Sequence, residues 1–147
     1  RGHLASSATF DSSVEVNSET FLATNLVPQR KELNRGLWRE LEQKVRDLSD
    51  QTGSVTVITG PIFPEYGRVV EGGVQIPSEF YKIIYVEAVE TSFTFLIPNS
   101  RRLSRNLGTY LKSIDEIESL TGLKFLEVNT ITQYSDGEWS EFKQLLQ

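Results

Sequence analysis

The sequence predicts an α+β domain, because its predicted strands and helices lack the regular alternation of a doubly wound sheet. Segments rich in β-branched and aromatic residues lie in the middle of the chain, with segments of helical periodicity on either side. At 147 residues, the chain is long enough for one hydrophobic core and too short for two ordinary domains. We therefore expect residues 1–147 to belong to one domain.

The first thirty residues are polar, and several serines interrupt any periodicity. This composition predicts a long surface loop, and long loops in compact domains are usually functional. A helix is predicted from Arg35 to about Asp50, and Gly53 supplies its stop signal. Its apolar residues recur at helical spacing and form one stripe: Leu37, Trp38, Leu41, Val45 and Leu48.

Three strands are predicted after this helix: Val55–Ile58, Tyr81–Ala88 and Phe93–Ile97. The Gly60-Pro61 dipeptide should end the first strand, and Pro98 the third. Because the region before these strands is itself poor in strands, we expect a partner segment to complete the sheet.

Two further helices are predicted near the C-terminus. Ser113 and Glu116 form a capping-box pattern, in which each side chain satisfies a free backbone N–H of the other residue. Gly122 is the expected end of that helix. A short amphipathic helix is also expected in the tail, between Tyr134 and Gln147.

Composition excludes several kinds of site. The chain has no cysteine and one histidine, which excludes disulfides, thiolate zinc sites, cysteine nucleophiles and multi-histidine metal sites. A bound metal would need oxygen ligands and at most one imidazole, which favours a hard ion such as Mg²⁺. No apolar run approaches the length of a membrane span, so we expect no membrane partner.

The formal net charge of −5 argues against a passive nucleic-acid coat protein, since those proteins are usually basic. Basic residues are nevertheless concentrated in one stretch: Arg30, Lys31, Arg35, Arg39, Lys44 and Arg46. This stretch predicts either a basic working face or an ordinary solvated helix surface.

His3 is a candidate general base, because imidazole titrates near neutral pH and can take a proton from water. The alternative is that a histidine so close to the terminus is an ordinary surface residue. Arg1, beside it, could hold a phosphate with its forked donors. Asn25 belongs to a segment that reads as a turn, since Pro28 disfavours helix before it.

Asn34, Trp38, Glu42 and Arg46 follow one another at intervals of four and are expected to share one side of the predicted helix. An amide oxygen, a carboxylate and a guanidinium so arranged could form a metal-and-phosphate site. The alternatives are an N-cap role for Asn34 and an ordinary surface ion pair between Glu42 and Arg46.

An ordered set of motifs resembles the DNA/RNA non-specific endonuclease family, which includes the sugar-non-specific nucleases and relatives of endonuclease G. The motifs are Arg1-Gly2-His3-Leu4-Ala5, Phe21 to Gln29 (FLATNLVPQ), Asn34-Arg-Gly36-Leu-Trp38, Leu41-Glu42, Arg46, Val57 to Pro61 (VITGP), Pro77 to Lys82 (PSEFYK), Ile97-Pro98-Asn99 and Leu120-Thr-Gly122. The resemblance implies a ββα-metal (His-Me finger) nuclease core, with a mixed or antiparallel sheet flanked by helices.

The resemblance also implies the roles of individual residues. His3 would activate water, Asn34 would be the direct protein ligand of a hydrated Mg²⁺, and Glu42 would act on that ion through water. Arg1 and Arg46 would lie near the phosphate, and Asn25 would support the site. Mn²⁺ is the expected substitute ion. DNA and RNA are the implied substrates, with 5′-phosphorylated products.

The chain departs from the family pattern in three ways. The aspartate that precedes the motif arginine is absent from this sequence, and Ser6 stands where the family usually has proline. The family domain also extends well upstream and carries another phosphate-binding arginine there. We therefore expect this chain to be the C-terminal catalytic portion of the domain and to need an upstream segment or companion chain.

Other partners implied by the resemblance are a second copy in a homodimer and a protein inhibitor. A secreted, periplasmic or organellar location is expected rather than a cytoplasmic one. The rival hypotheses are an inactive member of the same fold that binds nucleic acid or an inhibitor, and a structural module with a solvated polar helix face.

Overall fold

A computed structural model describes residues 1–125, 132–134, 140 and 144 of the chain. The strands are β1 (Gly2–His3), β2 (Leu26–Val27), β3 (Val55–Ile62), β4 (Glu79–Val86), β5 (Thr91–Pro98), β6 (Leu111–Lys112) and β7 (Thr132–Tyr134). The α-helices are α1 (Val14–Glu19), α2 (Arg39–Thr52) and α3 (Ile114–Thr121). A helical segment with a kink at Gly36, Leu33–Trp38, leads directly into α2.

The main sheet has the strand order β3-β4-β5-β6, and these neighbours are antiparallel. Strand β7 joins β5 in parallel, so the sheet is mixed. Strands β1 and β2 form a separate antiparallel pair. The predicted α+β class and the mixed or antiparallel sheet are therefore confirmed.

The sheet is covered by helix on both faces. Because successive strand residues point to opposite faces, β4 divides its side chains between two cores. Phe80 and Ile84 join the larger core, together with Trp38 and Leu41 from the long helix. Tyr81 and Ile83 join a smaller core with Ile114 and Ile117 of α3. The side chains of β4 are consequently buried on both sides.

Strand β3 is longer than predicted, because it runs through Gly60 and Pro61 to Ile62. The expectation that this dipeptide ends the strand was wrong for a physical reason. Among the described strands β3 pairs with β4 alone, and proline is tolerated on an edge strand because its missing N–H can face outward. Tyr81 packs against Gly60, where an added Cβ would lie 2.4 Å from the tyrosine hydroxyl.

The first thirty residues do not form one long loop. They contain β1, α1, β2 and two 3₁₀ turns, Ser7–Thr9 and Ala23–Asn25. The Ser13 hydroxyl caps α1 by accepting from the Val16 N–H. Two-residue strands leave no periodicity that a sequence pattern could reveal.

The predicted capping box at Ser113 and Glu116 is present, and Gly122 ends α3 with a φ of +70°. The helix predicted in the tail lies almost wholly outside the described residues. In the part of the chain that the structure describes, no helix combines the length and apolarity needed to cross a membrane.

Candidate metal and phosphate site

The β1–β2 pair carries His3 at the start of the chain. Gly2 pairs with Val27 and His3 pairs with Leu26. Gly2 is buried beneath the side chain of Gln29, and a Cβ built on Gly2 would lie 1.8 Å from the Gln29 Oε1 atom. A larger residue at position 2 would require the Gln29 side chain to move, so Gly2 allows that side chain to pack over β1.

The His3 ring is half-buried and is not an ordinary surface group. It packs edge-on against the Phe21 ring, with the ring centroids 4.9 Å apart. Its Nε2 atom is buried and has no hydrogen-bond partner among the described residues. A buried polar atom without a partner is uncommon in folded proteins, and here it leaves one imidazole nitrogen available to a ligand or to water.

Asn25 connects the segment after His3 to the segment after α1. Its Oδ1 accepts a hydrogen bond of 2.8 Å from the Ala5 N–H. Its Nδ2 donates to the carbonyls of Ala5, at 2.9 Å, and Thr20, at 2.8 Å. These bonds join the backbone two residues beyond His3 to the segment after α1.

Asn34 lies inside a helical segment and is not its N-cap. Its N–H donates to the Arg30 carbonyl at 2.9 Å, and the helical segment is kinked at Gly36, with φ −107° and ψ −110°. The predicted spacing of four therefore does not describe one regular helix between Asn34 and Trp38, although the residues from Arg39 onward are α-helical.

The Asn34 side chain faces the start of the chain. Its Nδ2 donates to the Arg1 carbonyl at 3.1 Å, whereas its Oδ1 accepts no hydrogen bond from the described residues. Since Arg1 is two residues from His3, the structure brings the candidate base and the candidate metal ligand to the same end of the molecule.

Glu42 is half-buried on α2. Burial raises the pKa of its carboxyl group, opposed in order by the Lys82 charge, a hydrogen bond from the Ser6 hydroxyl and the charges of Arg46 and His3. The alternative of a surface ion pair between Glu42 and Arg46 is not formed. Arg46 donates instead to Gln43 Oε1 at 2.7 Å and to Thr9 Oγ1 at 3.5 Å, and the ion pairs between described residues do not include it.

Lys82 is a member of this region that the sequence interpretation missed. It lies on β4, is 3% exposed, and its Nζ is 4.5 Å from the centroid of the Trp38 ring. Burial lowers its pKa to about 8, with Glu42 opposing that shift. The signal was present in the sequence, because a lysine within a strand that is apolar on both faces is rarely buried without a function or a partner.

Two clefts contain the candidate phosphate-binding residues. The larger, of about 920 Å³, is lined by Arg1, Arg30 and Arg68 with Phe21, and its volume falls within the range of ligand pockets. The other is lined by Glu42, Arg46 and Lys82. Of the basic stretch predicted from sequence, Arg30 and Arg46 line clefts, whereas Lys31, Arg35 and Arg39 are exposed.

The donor set fits a hydrated hard cation rather than a fully ligated one. In the ranges that the structure describes, no three His, Cys, Asp or Glu side chains are grouped closely enough to hold a metal. Asn34 offers a free amide oxygen and Glu42 a carboxylate. Mg²⁺ retains most of its waters and needs few protein ligands, so these two oxygen donors suit such an ion.

The family model for DNA/RNA non-specific endonucleases matches residues 1–130. This family is one of metal-dependent nucleases. The order of β1, β2 and the long helix agrees with the ββα-metal fold that the sequence resemblance implied.

Three relatives illustrate the match. A nuclease of Nostoc sp. is 35% identical over 86% of this chain and 50% of its own length. A nuclease of Serratia marcescens is 31% identical, with coverages of 84% and 49%. Human mitochondrial endonuclease G is 30% identical, with coverages of 86% and 48%. The chain thus spans about half the length of these relatives.

Proposed function

Because the chain belongs to the DNA/RNA non-specific endonuclease family, we propose that it supplies the catalytic portion of an Mg²⁺-dependent enzyme that hydrolyses DNA and RNA. One observation carries this proposal. A buried imidazole nitrogen of His3 and an amide oxygen of Asn34, neither of them hydrogen-bonded by the described residues, lie at the same end of the molecule. The first is suited to take a proton and the second to hold a hard ion.

His3 is the general base in this proposal. The Phe21 ring and the pairing with Leu26 hold the imidazole, and Asn25 fixes the backbone that follows. Nε2 accepts a proton from a water molecule, whose oxygen then attacks the phosphorus. The bond between phosphorus and the 3′-oxygen breaks, and the 3′-oxygen takes a proton from solvent and leaves as a hydroxyl. The other product carries a 5′-phosphate.

Asn34 Oδ1 would bind the Mg²⁺ directly, and Glu42 would hold its waters. A bound ion would supply Lewis-acid stabilisation of the charge that develops on the phosphate and on the leaving oxygen. Mn²⁺ is expected to substitute. Arg1 and Arg46 line different clefts, and each would bind phosphate oxygens of the strand, since guanidinium groups form paired hydrogen bonds with them.

Contacts to phosphate rather than to base edges account for the lack of sequence specificity. Arg30 and Arg68 add two guanidinium groups to the cleft that contains Arg1. The ion pairs between described residues include none of these three arginines, so their charges are available to a polyanion. We infer that a DNA or RNA strand occupies this cleft.

The test is cleavage of plasmid DNA and of RNA by the complete protein, with Mg²⁺ and with EDTA. His3→Ala should abolish turnover and leave DNA binding unchanged, and Asn34→Ala should abolish both activity and the response to Mg²⁺. Asn106→Ala is a matched control, because Asn106 caps a short turn outside both clefts. No cleavage of either substrate by the wild-type protein would favour an inactive, binding-only member of the fold.

We further propose that an upstream segment completes the domain. The outer edge of β3 is unpaired among the described strands, and Val57 on that strand is 38% exposed. An unpaired edge with exposed apolar residues favours addition of another strand. A cooperative thermal transition and full nuclease activity from the 147-residue chain would contradict this proposal.

A homodimer, a protein inhibitor and an exported or organellar location remain part of the proposal. The mitochondrial location in the name of the human relative supports an organelle as one such location. Separation from the host chromosome would protect it from a nuclease that does not read sequence.

A further inference from the structure

We propose that Lys82 is a positioning residue, which holds the Glu42 carboxylate beside the candidate metal site without forming an ion pair with its oxygens. This inference rests on the proposed function and assigns a role to a strand residue that the mechanism above does not use. The buried charge of Lys82, its contact with Trp38 and its interaction with Glu42 carry the argument.

The position of Lys82 in the sheet decides which way its side chain points. It alternates with Phe80 and Ile84, two residues of the core beneath the long helix. Its Nζ lies 4.5 Å from the Trp38 ring centroid, and cations over an indole face are stabilised by the ring. Trp38 is one helical turn before Glu42, so the same contact directs Lys82 towards that carboxylate.

Lys82 and Glu42 interact without closing an ion pair. The two residues line the same cleft, and each charge shifts the pKa of the other group in the direction that favours ionisation. The ion pairs between described residues nevertheless do not include these two. The Glu42 oxygens therefore feel a nearby positive charge while they stay free to bind water, as a residue that orders the waters of a metal must.

Stability alone does not explain a lysine here. A buried cation is expensive to desolvate, and apolar residues of similar volume in place of a buried charged pair are often neutral or stabilising. Methionine would fill the same space against Trp38 and would remove the charge. A lysine in this environment is better explained by its effect on Glu42.

The experiment is a double-mutant cycle in the complete protein, with Lys82→Met, Glu42→Gln and the two combined. Mg²⁺ binding is measured by calorimetry, beside turnover and the melting temperature. We expect Lys82→Met to weaken Mg²⁺ binding roughly 10-fold or more, as outer-shell changes do at other metal sites, with the melting temperature unchanged or raised. In the Glu42→Gln background the same change should have little further effect.

Lys112→Met is the matched control, because Lys112 pairs with Glu116 on a different part of the fold. Lys82→Gln serves as the second variant if Lys82→Met lowers the melting temperature. Unchanged Mg²⁺ binding in the lysine variants, or fully additive effects in the double mutant, would overturn the inference while the nuclease proposal stands. A wild-type protein that neither binds Mg²⁺ nor cleaves would defeat both.

Discussion

Each face of the sheet carries a glutamate and a lysine that interact, and the two pairs are built differently. On the α3 side, Glu118 uses both carboxylate oxygens: Oε2 accepts from Lys124 and Oε1 accepts from the Phe125 N–H at 3.0 Å. These bonds lower the pKa of Glu118. On the α2 side, burial raises the pKa of Glu42, and the buried Lys82 does not reach it directly.

The difference separates a structural carboxylate from a reactive one. Glu118 is satisfied by groups within seven residues, one of which is backbone. Glu42 lies half-buried, where burial disfavours its charge, and its partners come from distant parts of the chain. A carboxylate whose hydrogen-bonding capacity is filled has little left for a ligand, whereas one that is held by charge at a distance can still bind water.

The largest expected effect concerns turnover. Glu42→Gln should lower kcat/KM for plasmid cleavage about 10- to 100-fold, because an amide replaces the charge that orders the waters of the metal. Glu118→Gln should leave the same rate within about twofold, because Glu118 lies on the opposite side of the sheet from the candidate site. Comparable losses in both variants would remove the functional distinction between the pairs.

The second effect concerns the melting temperature, which Glu118→Gln should lower more than Glu42→Gln. Glu118→Gln is expected to lower the melting temperature, because the amide cannot keep both the ionic bond to Lys124 and the acceptor geometry at Phe125. Glu42→Gln should leave it unchanged or raise it, because a neutral amide is cheaper to bury than a carboxylate. Calorimetric melts of the two variants at pH 7 measure the difference.

The two carboxylates should also give stability opposite dependences on pH. The folded pKa of Glu42 is raised above 4.5, so its destabilising contribution is full above that folded pKa and is relieved as pH falls towards 4.5. The folded pKa of Glu118 is lowered below 4.5. Its stabilising contribution is therefore complete above 4.5 and is lost as pH falls from 4.5 through the folded pKa. Urea unfolding between pH 3 and 7 measures the free energy of unfolding of the wild type and of each glutamine variant. The difference between wild type and variant at each pH gives the contribution of that carboxyl group.

The smallest effect should come from Ser6. Its hydroxyl lowers the pKa of Glu42 by hydrogen bonding, and a single such bond contributes about 1 kcal/mol. Ser6→Ala should therefore reduce turnover roughly fivefold or less. Ser12→Ala, an exposed neighbour in the same segment, is the control, and equal rates for the two variants would exclude Ser6 from the support of Glu42.

Elements with local signals were predictable from the sequence. The capping box at Ser113 depends on residues three positions apart, and β4 is a continuous run of mainly apolar residues. Both signals lie within a few residues, so the sequence pattern predicted both elements. The β1–β2 pair was missed because its two-residue strands are joined across 22 residues, from His3 to Leu26. Pairing at that separation depends on tertiary contacts, which no local window contains.

The candidate site was predictable in the same uneven way. The ordered motifs pointed to His3, Asn34 and Glu42 as candidates, and the alternative N-cap role of Asn34 does not hold because the helical segment begins before it. Lys82 was missed because its partner is 40 positions away in the sequence, on a different element. In the sequence, a lysine within an apolar strand only interrupts the pattern. The tryptophan and the glutamate near it are revealed by the fold.

The contact between Gly2 and Gln29 has a consequence for how this chain tolerates change. The space above Gly2 is filled by the glutamine side chain, so a methyl group added at position 2 requires that side chain to shift. His3 is the next residue, and Gln29 follows the strand with which His3 pairs. A substitution at position 2 removes no reactive group, yet it should alter the packing that holds the imidazole in place.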